Sequence, residues 1–120
     1  MSNPEININN ESVLVTVKKL LGLDQSYDAF DKDIIIHINT VFSNLNQMGV
    51  GPEDGFMISG EEEKWSDFLE GTKNNEQIKS YLFLKVRLIF DPPANSNLLK
   101  AMNETANELE SRLYWSRGGY

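Results

Sequence analysis

The chain has 120 residues, of which 40% are hydrophobic and 24% charged; it has no cysteine and a single histidine, His37. That length supports one domain with its own core, and the composition excludes a disulfide framework, a thiol nucleophile and cysteine-type or multi-histidine metal sites. With 18 acidic against 11 basic side chains the net charge is −7, the wrong sign for a protein held to nucleic acid by phosphate contacts.

Residues 1–11 read as a flexible, asparagine-rich arm. They lack the basic-then-apolar order of a secretory signal, so an intracellular, reducing setting is expected. From Ser12 onward, Val13, Leu14, Val17, Leu20 and Leu21 recur at helical spacing. Ser12 is placed to cap this helix and Gly22 to end it, with Lys18 and Lys19 on the opposite, solvated face. The second helix is expected to start at an Asp31 cap, with Asp33 in its first turn where the helix dipole favours a negative charge. Its apolar stripe is Ile34, Ile38, Val41, Phe42 and Leu45, and Gly49-Val50-Gly51-Pro52 stops it.

Residues 53–64 are irregular and acidic, and Phe56-Met57-Ile58 reads as a strand of a small hairpin turning at Ser59-Gly60. Trp65, Phe68 and Leu69 then predict a short helix closed by Gly71. A third long helix is expected from Asn75 to Phe90, apolar on most sides and ended by Asp91-Pro92-Pro93. The last starts at a Ser96 cap and runs to Trp115 on Leu99, Met102, Ala106, Leu109 and Leu113, with Glu104, Glu108 and Arg112 on the wet side. The predicted fold is therefore all-α: about four main helices spanning 12–115, an irregular or hairpin excursion between the second and third, and a tail at 116–120. No apolar run approaches the ~20 residues of a membrane span.

Catalytic chemistry finds little support. Asp24, Asp28, Asp31 and Asp33 lack the glycine and glutamate spacing of a calcium loop, and capping plus solubility account for them. His37 has no Gly-x-Ser-x-Gly elbow or other nucleophile signature to serve, and Gly49-Val50-Gly51 is not a phosphate loop. Partner binding is better supported. The end of the chain, Arg112, Tyr114, Trp115, Arg117 and Tyr120, is aromatic and basic on an acidic protein, the residue types that dominate interface hot spots. Phe56, Met57 and Ile58 form a second candidate contact, set beside the acidic run Glu61, Glu62, Glu63. A satellite cluster on Trp65 and Phe68 is the competing reading for Phe56.

The stretches 37–52 (HINTVFSNLNQMGVGP) and 79–93 (KSYLFLKVRLIFDPP), with Trp65-Ser-Asp-Phe-Leu69 and the closing amphipathic helix, resemble head–tail connector (adaptor, head-completion) proteins of tailed phages infecting Gram-positive bacteria. The resemblance covers residues 12–115 and rests on structural rather than catalytic motifs. It implies a helical virion protein, made in the host cytoplasm, that assembles a dodecameric ring beneath the portal protein and extends the DNA channel. It also implies a platform for a downstream neck or tail-completion protein, with no enzymatic activity, cofactor, metal or membrane partner. On that reading Arg112, Tyr114, Trp115, Arg117 and Tyr120 are candidates for docking the portal. Phe56, Met57 and Ile58 are candidates for subunit or downstream contacts, and Glu61, Glu62 and Glu63 for facing the channel. The alternatives are another neck component, such as a stopper or tail-completion protein, or a small intracellular regulatory protein.

Overall fold

A computed structural model describes residues 11–69 and 75–118, with side chains as far as Trp115. Its helices are α1 (Val13–Leu20), α2 (Asp31–Gln47), α3 (Trp65–Leu69), α4 (Asn75–Phe90) and α5 (Ser96–Gly118), and no strand occurs among the described residues. The fold is a small all-α bundle of four substantial helices and one short one. Residues 1–10 of the arm expected over 1–11, the Gly71 stop and Tyr120 lie outside the described residues.

Local chemistry sets the helix ends. The Ser12 hydroxyl accepts from the Val15 N–H at 3.2 Å, as its place before an apolar stripe implies. At the other end of α1, Gly22 takes a positive φ of 84°, and the N–H groups of Gly22 and Leu23 donate to the carbonyls of Lys19 and Lys18. That pair of bonds is a Schellman closure, and it recurs after α2, where Gly49 and Val50 donate to Asn46 and Leu45. Val50 folds back into the core as this closure requires.

α4 packs against both α2 and α5 and is the middle layer of the bundle. The core collects Ile34, Ile38, Val41, Phe42 and Leu45 from α2, and Ile78, Tyr81, Leu82 and Val86 from α4. Val13, Leu14 and Val17 of α1, Trp65, Phe68 and Leu69 of α3, and Leu113 of α5 complete it. Burial of each large apolar side chain contributes about 2 kcal/mol. The starts of α1 and α3 are tied together: Val13 donates to the Glu63 carbonyl, Trp65 to that of Glu11, and the Trp65 indole N–H to the Thr16 hydroxyl at 2.8 Å.

Several local expectations are corrected. Lys18 is fully buried, not solvated: its ammonium lies 2.8 Å from Asp31 Oδ1 and donates to the Gln25 carbonyl. Asp31 is accordingly the first residue of α2 and the partner of Lys18, while Phe30 occupies the cap position without a side-chain bond. At α5 the cap is Asn95, whose Oδ1 accepts from the Asn97 and Leu98 N–H groups, so Ser96 is already helical. The helix also continues past Trp115 to Gly118. α4 is less enclosed than its composition suggests, since Ile89 is exposed.

Candidate functional site

The hairpin at 56–58 does not form; of the two expected versions of this excursion, the irregular one is found. The segment has no regular secondary structure, and its backbone partner is a side chain. The Asn39 amide on α2 donates to the Ile58 carbonyl at 3.0 Å and accepts the Ile58 N–H at 2.8 Å, satisfying both backbone groups as a neighbouring strand would. Ile58 is buried and Phe56 half-buried, packing edge-on against Phe42 and at a tilt against Phe68. Met57, between them, is 70% exposed. Of the three residues proposed as a contact, Met57 alone is displayed.

Asn46 anchors the start of the same excursion through the carbonyls of Pro52 and Glu53. Gly51 is needed there: its φ is 91°, and a Cβ would stand 2.7 Å from Phe68 Cζ. Between this segment and the outer face of α2 runs an open groove of about 720 Å³. Ile36, Phe42, Phe56 and Met57 give it an apolar lining, and Thr40, Ser43 and Asp54 are among its polar lining residues.

The acidic run divides in two. Glu61 and Glu62 are exposed, whereas Glu63 is half-buried and structural. Its carboxylate accepts from the Ser59 N–H and hydroxyl and from the Gly60 N–H. Partial burial opposes its charge, but these bonds and its own backbone N–H outweigh that and hold the carboxyl below its ordinary pKa.

At the end of α5, Leu113 is buried while Tyr114 and Trp115 are exposed, their rings edge-to-face at 5.4 Å. Arg112 is engaged by Glu108 at 2.9 Å, the expected i, i+4 pair. The structure therefore brings the adjacent Tyr114 and Trp115 together on one projecting turn. The side chain of Arg117 lies outside the described set.

No group of acidic or histidine side chains suited to holding a metal occurs among the described residues. Asp24 accepts from the Ser26 hydroxyl and N–H, which holds its carboxyl below the ordinary value. His37 is half-buried beside the Phe90 ring. Phe30, itself 40% exposed, joins Phe90 to Tyr27 in an aromatic string, a feature missed in the sequence because Tyr27 and Phe30 fall between the first two helices, outside either apolar stripe. No described helix is long and apolar enough to cross a membrane.

A family model described as "Phage connector protein" matches residues 13–119. No curated protein and no solved structure matches the chain.

Proposed function

Because the chain belongs to the phage connector protein family, a structural head–tail connector, we propose that it forms a ring under the portal, extends the DNA channel and joins head to tail. Portal docking falls to Arg112, Tyr114, Trp115 and Arg117 of the last turns of α5, together with Tyr120. The observation that carries this assignment is the Tyr114–Trp115 turn: two large aromatics left exposed at the end of the longest helix, on a chain whose last acid is Glu110. Large aromatics seated in pockets of a partner supply most of the binding energy of such interfaces.

Within this assembly Met57 stands at a contact with another subunit or a downstream neck protein. Glu61 and Glu62 face the channel, where negative charge lets DNA phosphates slide without sticking. The virion neck is then the protein's place, and catalysis forms no part of its role.

The test is electron microscopy of the chain mixed with its portal, paired with co-purification of a variant lacking residues 116–120 and of Trp115→Ala. The expected image is a ring stacked coaxially on the narrow end of the portal, with binding lost in the truncated chain and weakened in Trp115→Ala. Full portal binding by both variants would overturn the assignment of α5, and the absence of any coaxial ring would overturn the role.

A further inference from the structure

The groove over Phe42 and Phe56 and the corner between α4 and α5 are opposite in charge and alike in exposed apolar surface. Residues 50–63, which build the groove's loop side and its flank, carry five acids and no base. The one charged residue lining the groove is Asp54, and Ile36 and Met57 in its lining are 60% and 70% exposed. Around the corner itself, residues 85–100 are the reverse: Lys85, Arg87 and Lys100 stand against Asp91 alone. Within a turn of the α4–α5 connection on either side, Ile89 and Leu98 are about half exposed.

We propose that the groove receives the α4–α5 corner of a second copy of this chain, so that copies associate head to tail. Ile89 or Leu98 of one copy enters the apolar trough between Ile36 and Met57 of the next, and Lys100 and its basic neighbours meet Asp54 and Glu53. A groove-to-groove dimer would set acid against acid. The end of α5 is a poorer occupant: Arg112 already pairs with Glu108, and the Tyr114 and Trp115 rings meet edge-to-face. A contact joining two different patches is heterologous, and repeated copies then close into a ring or extend as a filament. The inference deepens the connector reading by naming the surfaces through which copies meet, and it requires no portal.

The chain's lack of cysteine makes the test free of background. Met57→Cys and Leu98→Cys each replace an exposed side chain, so both variants keep the fold. A short bis-maleimide is added to the purified chains at high concentration, without portal. Mixed single variants are expected to give a one-to-one heterodimer, severalfold more than Met57→Cys mixed with Leu20→Cys at the exposed end of α1. A chain carrying both substitutions is expected to give a ladder of covalent oligomers. Several results would overturn the proposal: no excess over the Leu20 control, predominant Met57–Met57 crosslinks, or preferential crosslinking of Met57→Cys to Trp115→Cys. Because no portal is present, failure here leaves the docking of α5 untouched, and loss of portal binding by truncated α5 leaves this result standing.

Discussion

Tyr81 holds its phenol in the core between α2 and α5, where the hydroxyl donates to Glu110 Oε2 at 3.2 Å. Burial, then the Glu110 charge, then that hydrogen bond raise its pKa well above the ordinary 10.0, and a bond with Asn44 only partly offsets them. The sign of the pH effect follows. Below pH 10 the phenol is neutral in both states and the bond to Glu110 contributes in full. Above it the unfolded chain gives up the proton while the folded chain keeps it, so stability falls by about 1.4 kcal/mol per pH unit until the raised folded value is reached. Tyr81→Phe lacks this liability, but at neutral pH it forfeits the hydrogen bond, about 1 kcal/mol. Urea unfolding at about pH 8 should find the variant the weaker of the two, and at about pH 11 the gap should close or reverse. A constant gap would mean that the phenol ionises equally in both states. Lys18 belongs to the same scale. The sequence placed it in solvent because a lysine beside a second lysine reads as a wet face. Its burial depends on Asp31 and the Gln25 carbonyl, partners that become neighbours only when the linker folds back over α1.

Among the elements, α5 is the one whose two ends serve different purposes. It is 23 residues long, about 35 Å at 1.5 Å per residue, yet among its described side chains only Ala106 and Leu113 are buried, with Leu109 packed against the core. Leu113 therefore fastens the far end to the bundle, immediately before the exposed aromatic turn. Truncation should separate the two roles. A chain ending at Trp115 keeps Leu113 and should melt close to the full-length chain. One ending at Ser111 loses it, at a cost of about 2–3 kcal/mol, visible as a lower thermal midpoint by circular dichroism. Equal midpoints would mean that Ala106, Leu109 and the Tyr81–Glu110 bond hold α5 without Leu113. This contrast also shows what the sequence disclosed. The stripes of α2 and α5 were legible because their apolar residues recur at the helical period, and all five stripe residues of α2 are buried. The excursion at 53–64 was legible as irregular, but the hairpin read into 56–60 does not form, because the partner of Ile58 is the side-chain amide of Asn39, 19 residues away and unlike any strand. The groove was invisible for the same reason, since it exists only once Asn39 and Asn46 hold the loop over Phe42. Asn95 and Ser96 are both good capping residues one position apart, and propensity could not choose between them. Trp115 was legible as a candidate, but its exposure follows from which turn of α5 reaches past the core.

At the scale of the whole molecule, net repulsion and local attraction act over different ranges. Each copy carries −7 overall, so approaching copies repel at any separation where the screening length is comparable to the protein. The attraction between the basic α4–α5 corner and the acidic groove operates only near contact, and the apolar part of that contact does not depend on salt. At about 0.01 M ionic strength the Debye length is about 30 Å and the full charges oppose each other. Near 0.15 M it is about 8 Å, which removes most of the long-range repulsion and leaves the contact charges largely effective. Near 1 M it is about 3 Å, and the contact charges are screened as well. Head-to-tail association should therefore strengthen from low to physiological salt and weaken again toward 1 M, read as weight-average mass by sedimentation equilibrium. Reversal of Lys100 to glutamate should abolish the decline at high salt, because the variant has little attraction left to screen. A steady fall in mass across the whole range would mean that complementary charge outweighs net repulsion from the start. A steady rise would mean that Ile89, Leu98, Ile36 and Met57 hold the copies together without help from charge.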